Sequence, residues 1–323
     1  VSAIAPYRTG LLNVGDDQVI AWECCGNPDG APLLVVHGGP GSGRNVQARA
    51  WPDLGRHQAV LFDQRGCGLS RPHASDPNTA LSANTTDHPI RDMELLRNSL
   101  GIERWMMTGG SWGSTLILAY AQRHADHVAG IVITGVTTTG RHEIEWLYRG
   151  ARRLFPAAHE RFVSHVPEAS SELFGDGGIL DAYARRASSP DPVTRMAATQ
   201  EWCRWEDTLI AHENHGRPGT YSGRPAVAQM AFVRISAHFF SHSAWLAEDQ
   251  LLREAYRLTG IPAVLIHGRL DVASPFETAR RLAEAWSGAE LLVLDDSGHT
   301  DSTGIEHARR HALSTVFDRA TWT

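Results

Sequence analysis

The residues that could do chemistry begin at Gly109-Gly110-Ser111-Trp112-Gly113, a G-x-S-x-G pattern in which a serine is flanked closely by glycines. A serine on a sharp strand-to-helix turn is held in a strained conformation. Its neighbours need small side chains to clear the surrounding backbone. A helix that starts there aims free N–H groups and its positive dipole end at whatever forms on the serine. The chemistry is nucleophilic attack on an acyl carbonyl. It requires a base to take the serine proton, an acid to orient the base, and N–H donors for the oxyanion.

Of 17 histidines, His299 is the candidate base, because Ser297-Gly298-His299 follows directly on an apolar run, Leu291 to Asp295, and opens a loop before a helix. His267, His37 and His238 are the competitors. Asp271, in Gly268-Arg269-Leu270-Asp271, follows the preceding apolar run, and the chain order Ser, Asp, His is the one this architecture uses. Asp295 and Asp296 are the alternatives, but they lie too near His299 in sequence to orient it easily. One oxyanion donor is the N–H of Trp112, and the other comes from His37-Gly38-Gly39-Pro40-Gly41, with Gly39 the candidate and Gly38 its neighbour. That loop could instead cradle phosphate, but no lysine follows and its spacing fits neither phosphate-loop pattern. Asp63 and Arg65 are expected to brace the loops by hydrogen bonds.

These residues need a scaffold that brings them to one edge. Two short strands are expected within Leu11 to Glu23 around a turn at Asn13 to Asp17, with a second turn at Asn27-Pro28-Asp29-Gly30. Short apolar runs at Leu33 to Val36, Gln58 to Phe62, Trp105 to Thr108 and Val128 to Thr134 read as buried strands. Helical periodicity marks Asp87 to Leu100, with Ile90, Met93, Leu96 and Leu100 on one face, and the segment after Ser111 to about His124. From Thr137 to Gln250 only helical segments are expected, broken at Pro156, Pro167, Pro190 and residues 216–225. Alternation returns with Ile261 to His267, Pro275 to Trp286, Leu291 to Leu294 and Asp301 to Phe317. This predicts an α/β fold: a mostly parallel sheet flanked by helices, residues 1–137 and 251–323, with an inserted helical cap at 138–250 over the carboxyl ends of the strands.

Composition bounds the rest. Hydrophobic residues make up 42% and charged residues 20%, ordinary for a globular protein, and a net charge of -6 with no basic run argues against a nucleic-acid partner. All 30 basic residues are arginine, which excludes Schiff-base and Ser-Lys mechanisms. The four cysteines, Cys24, Cys25, Cys67 and Cys203, lack zinc-site spacing, and reduced thiols in a cytoplasmic compartment are expected. Residues 1–10 lack a signal-peptide pattern, and no apolar run is long enough for a membrane span.

His37-Gly38-Gly39-Pro40-Gly41, Asp63-Gln64-Arg65-Gly66-Cys67-Gly68-Leu69-Ser70 and Gly109-Gly110-Ser111-Trp112-Gly113-Ser114 follow, nearly letter for letter, the motifs of the proline iminopeptidases of the α/β-hydrolase superfamily, which the whole chain resembles. Gly268-Arg269-Leu270-Asp271 matches too, except that the family usually has an aromatic where Leu270 stands. The resemblance implies a serine peptidase that removes an amino-terminal residue, usually proline, with no metal or organic cofactor and with a small peptide or amide as its partner. It also implies that cap acids read the free amine. One lies in Trp202-Cys203-Arg204-Trp205-Glu206, pointing to Glu206, with Glu201 a decoy. The second belongs to a segment that here reads Arg234-Ile235-Ser236-Ala237-His238-Phe239-Phe240, where Ser236 replaces the family glutamate. Gly38, Tyr148 and Phe239 complete the expected substrate pocket. The departure at Ser236 keeps an amidase or esterase with a diverged pocket as the alternative. A non-catalytic scaffold protein is a third reading, whereas Ser111 at the elbow excludes the dehalogenases and epoxide hydrolases, which carry aspartate there.

Overall fold

The computed structural model describes residues 4–213 and 219–322. The expectations at 1–10 and 216–225 fall partly outside that range, on residues 1–3 and 216–218. The chain opens with a hairpin, β1 (Arg8–Gly15) and β2 (Gln18–Gly26). Gly15 pairs with Gln18, so only Asp16 and Asp17 form the turn, at φ of +55° and +56°. Two positive φ values in a two-residue loop match the right-handed twist of the flanking strands, and aspartate tolerates that conformation better than most residues. The strands reach further than expected at both ends because the ladder already pairs Arg8 with Cys24.

The remaining strands are β3 (Ala31–Val36), β4 (His57–Phe62), β5 (Trp105–Ser111), β6 (Val128–Val136), β7 (Ala263–Gly268) and β8 (Ala289–Leu294). They form one eight-stranded sheet in the order β1-β2-β4-β3-β5-β6-β7-β8. β2 runs antiparallel to β1 and β4, and every other pairing is parallel. All nine residues of β6 are buried, which is why that strand reads as an unbroken apolar run. β7 starts at Ala263 rather than Ile261, since Pro262 has no N–H to give the ladder.

Helices cover both faces. α1 (Asp87–Ser99), α2 (Trp112–Ala121), α8 (Gln250–Arg253) and α9 (Phe276–Ala285) share a core with Leu34, Met107, Ile131 and Leu265. α10 (Thr303–Arg319) lies on the other face against Leu33, Met106, Val132 and Val264. Adjacent strand residues therefore face opposite layers. α2 is apolar all round because it packs on β3, β5 and β6 while α1 and α8 cover its outer side. It stops three residues short of His124, where the N–H groups of Arg123 and His124 turn back onto the Tyr120 carbonyl.

Between β6 and β7 the described residues hold helices and no strand: ahead of α8 come α3 (Arg141–Tyr148), α4 (Pro156–Ser164), α5 (Ile179–Ala187), α6 (Pro192–Leu209) and α7 (Ala226–Ser241). Two of the expected breaks become starts. Pro156 is the first residue of α4, and after Pro190 the Asp191 carboxylate caps α6 by accepting from the N–H groups of Val193 and Thr194. α7 reaches down to the loop after β3: Ile235 packs against Gly41, and the Ser236 hydroxyl donates to the Pro40 carbonyl at 2.9 Å.

Candidate active site

Ser111 ends β5 and precedes α2 with φ +55° and ψ −131°, a conformation that non-glycine residues rarely adopt. The elbow glycines explain themselves by contact. A Cβ on Gly109 would lie 2.4 Å from the Val36 carbonyl oxygen, and one on Gly113 would lie 2.5 Å from the same atom. Both ends of the turn press on β3, and no side chain fits. The Ser114 hydroxyl adds a tie, 2.7 Å from the Ser111 carbonyl and accepting from the Thr137 N–H at the end of β6.

His299 and Asp271 meet beyond β8 and β7. His299 Nδ1 and Asp271 Oδ2 are 2.8 Å apart, and the other carboxylate oxygen accepts from the Ser274 N–H at 2.7 Å. This fixes the imidazole through Nδ1. Burial disfavours the imidazolium, but Asp271, helped by Glu213 and Glu206, outweighs it and raises His299 to about 9. The competing histidines have other work. His267 accepts from the Val136 N–H and bonds the Ser274 carbonyl, so it braces the Asp271 loop. His37 accepts from the Gln64 N–H and bonds the Gly38 carbonyl. His238 lies in α7 among His242 and Trp245. Asp295 is exposed and pairs with Arg269, and Asp296 accepts from the Ser297 hydroxyl.

Gly39 carries φ +123°, and its loop is in contact with the elbow: a Cβ on Gly38 would approach the Gly110 carbonyl at 3.0 Å and the Ser111 Cβ at 3.4 Å. The Trp112 indole donates to Gln64 Oε1 at 2.9 Å, and the Gln64 amide donates to the His37 carbonyl, so the two candidate oxyanion segments are held by one side chain. Asp63 accepts from the N–H groups of Arg44 and Leu69. Arg65 grips Asp92 through two 2.7 Å bonds, in keeping with a bracing role.

Ser111 stands between two cavities that share Gly39, Ser111, Tyr221 and His299 in their walls. The smaller, about 50 Å³, is closed by Glu206, Glu143, Ile144, Leu147, Phe240 and Thr139. Burial pushes Glu206 up to about 7, against the pull of the Tyr148 hydroxyl, which donates to it at 2.5 Å. Glu143 is already saturated by Thr137 Oγ1, Thr138 N and Oγ1, and Gly140 N. The larger cavity, about 490 Å³, is lined by Gly38, Ser42 and the arginines 44, 224 and 309.

Three expected pocket residues lie one layer behind the cavity walls. Tyr148 is fully buried and reaches the site only through Glu206. Ser236 is fully buried and spends its hydroxyl on the Pro40 carbonyl. Phe239 packs edge-on against Trp112, and its neighbour Phe240 supplies the wall instead. Ser236 and Phe239 share a reason: α7 is buried on several sides, so its apolar run does not reveal which face meets the cavity. Gly38 lines the larger cavity, not the smaller.

Glu213, just beyond α6, was missed. Its carboxylate accepts from the N–H groups of His299 and Thr300 at 2.7 and 2.6 Å and from the Thr300 hydroxyl. Gly298 makes room, since a Cβ there would strike that carboxylate. No local pattern marks an acid in a loop as the clamp of a segment 86 residues away.

A strand-ordered sheet with a serine elbow, and histidine and aspartate at neighbouring strand ends, defines an α/β hydrolase. The family profile described as alpha/beta hydrolase fold matches residues 31–176, and one described as TAP-like protein matches 243–321. The chain is 41% identical over 309 residues to a proline iminopeptidase of Xylella fastidiosa, covering 92% of each chain. It is also 41% identical to a probable proline iminopeptidase of Streptomyces coelicolor, covering 94% of each. The crystal structure of a Mycobacterium smegmatis proline iminopeptidase superposes with a TM-score of 0.61 at 18% identity, covering 97% of this chain and 98% of that one, a likeness of fold. The chain belongs to the proline iminopeptidase family.

Proposed function

We propose that the protein is a serine aminopeptidase that releases an amino-terminal residue, proline first among them, from short peptides. The observation that carries this reading is a buried carboxylate, Glu206, in the wall of the small cavity beside Ser111 and His299. A substrate ammonium placed there would meet a charge-assisted partner on a buried carboxylate. One water needs roughly 10–15 Å³ of such space, so a cavity of about 50 Å³ suits a compact ring better than a large side chain.

In this scheme the Ser111 hydroxyl attacks the scissile carbonyl and its proton passes to His299 Nε2. Asp271 stabilises the imidazolium, and the N–H groups of Gly39 and Trp112 receive the oxyanion. His299 then protonates the leaving amine, and water, deprotonated by His299, cleaves the acyl-enzyme to free the amino acid. Ser236, Tyr148 and Phe239 act from behind: Ser236 steadies the loop bearing Gly39, Tyr148 orients Glu206, and Phe239 supports Trp112. An amidase or esterase is the second reading, favoured by the absence of a family glutamate at Ser236 and by the saturation of Glu143, which leave Glu206 as the available acid. A cytoplasmic location suits the four cysteines, all free and buried. Among the described residues no helix is long and apolar enough to cross a membrane.

The test compares a prolyl anilide with a short acyl ester that lacks an amine, for wild type and Ser111→Ala. Faster turnover of the prolyl anilide, falling by at least about 10⁴-fold in the variant, is the expected result. Selective turnover of the ester would install the second reading, and near-wild-type activity of Ser111→Ala would overturn both.

A further inference from the structure

Ser111 divides two cavities of opposite character. Glu206 and Glu143 line the smaller, whereas Arg44, Arg224 and Arg309 line the larger, with Asp301 as its one acidic wall residue among those described. The arginines are not equivalent. Arg44 is neutralised by Glu23 at 3.3 Å and Asp63 at 3.2 Å. Arg309, 1% exposed, is buried in α10 with its guanidinium stacked 3.8 Å over the Trp51 ring. Its Nη2 is taken by Asp301 and Thr134, but Nε and Nη1 have no partner among the described residues. Both atoms are shut off from the cavity by the protein around them, so Arg309 acts on the cavity through its charge. Arg224 makes no ion pair among the described residues. Its Nε donates to the Thr220 carbonyl and its Nη1 to the Ser42 hydroxyl at 3.2 Å, in the loop that also carries Gly39.

We propose that the larger cavity is the leaving-group site and that Arg224 receives a carboxylate there, with the Arg309 charge beside it, so that the enzyme prefers substrates whose second residue carries a negative charge. This rests on the aminopeptidase reading: with the amine held at Glu206 and the scissile carbonyl at Ser111, the remainder of the substrate enters the arginine-lined space. The carboxylate is either the free carboxyl terminus of a dipeptide or the side chain of an acidic second residue. Guanidinium pairs well with either because its planar fork matches two carboxylate oxygens.

The experiment measures kcat/KM of the wild-type enzyme for Pro-Gly, Pro-Gly-amide, Pro-Glu-amide and Pro-Gln-amide, with a prolyl anilide alongside. Pro-Gly should exceed Pro-Gly-amide, or Pro-Glu-amide should exceed Pro-Gln-amide, by about 10- to 100-fold, the span of a hydrogen bond to a charged group. Which pair separates identifies the source of the carboxylate. Arg224→Gln, at a half-buried loop position, should shrink that ratio to within about threefold. Arg309→Gln should act in the same direction, and 0.5 M salt should narrow the wild-type ratio if it unfolds. Ratios near one in the wild type overturn the proposal, and so does a large ratio that Arg224→Gln leaves intact. Failure of the prolyl anilide to turn over, with the ester still cleaved, would refute the aminopeptidase reading itself, a different outcome from anilide turnover with no carboxylate preference.

Discussion

Glu206→Gln separates binding from stability in one residue. Glutamine keeps the shape of the side chain and still accepts the Tyr148 hydroxyl, so what is removed is the charge. In the folded protein burial pushes the Glu206 carboxyl up to about 7 from its ordinary 4.5. Between those two values the folded state holds a proton that the unfolded chain has lost, so stability falls as pH rises through this window. The shift of about 2.5 pH units corresponds to about 3 kcal/mol, fully expressed above pH 7 and absent below 4.5. With an unfolding entropy of about 2.1 cal/mol/K per residue, 323 residues give about 0.7 kcal/mol/K, so the cost amounts to about 4–5 °C. Differential scanning calorimetry at pH 5, 6, 7 and 8 should therefore show the variant gaining on wild type by about that much between pH 5 and 8. At pH 8, where the wild-type Glu206 is ionised, kcat/KM for a prolyl anilide should fall by on the order of 10²–10³ in the variant, because the substrate ammonium would be buried unpaired, and the loss should shrink towards pH 5. An amine-free ester should lose less than about tenfold. A Tm difference that does not change with pH would refute the reasoning, since it would mean that Glu206 is not an acid held against its own desolvation.

Two further perturbations address the base and the cap. His299, raised to about 9, must be neutral to accept the serine proton, so kcat/KM on an amine-free ester should climb with pH until about 9 in the wild type. Asp271→Asn removes the chief group holding His299 up and leaves burial to push it down. The limb should then move below pH 7 while kcat drops about 10⁴-fold, and a limb unmoved in a stopped-flow pH series would count against the pairing. Ser236→Glu, which restores the family residue, should not improve prolyl turnover. The site is fully buried behind the cavity, and the larger side chain would break the bond to Pro40 and overpack α7, with a thermal melt reporting a loss of about 1–3 kcal/mol.

The parts of the molecule that were legible in the sequence are those where local rules and tertiary demands coincide. The elbow is readable because two glycines must clear one carbonyl of β3, and that constraint is written within five residues. Asp271 and His299 are readable because each follows an apolar run that becomes a parallel strand, and parallel sheets gather such loops at one edge. Element ends moved by a few residues where long-range pairing extended them, as at Arg8 and Val136. The pocket walls were harder. In α7 ten of sixteen residues are buried, so periodicity does not say that Phe240 rather than Phe239 meets the cavity. Glu213 and the paired cavities depend on contacts between distant segments, which no pattern along the chain encodes.

The candidate nucleophile and its candidate base lie on either side of the helices between β6 and β7, and Glu213, which clamps the His299 segment, comes from that stretch. A ribosome therefore makes Ser111 long before it makes Asp271 and His299. An emerging chain carries Ser111 without the base that activates it, and the Gly39 loop lacks the bond from Ser236 to the Pro40 carbonyl until α7 is in place. The full set assembles only when β7 and β8 join the sheet, since Asp271 and His299 follow those strands.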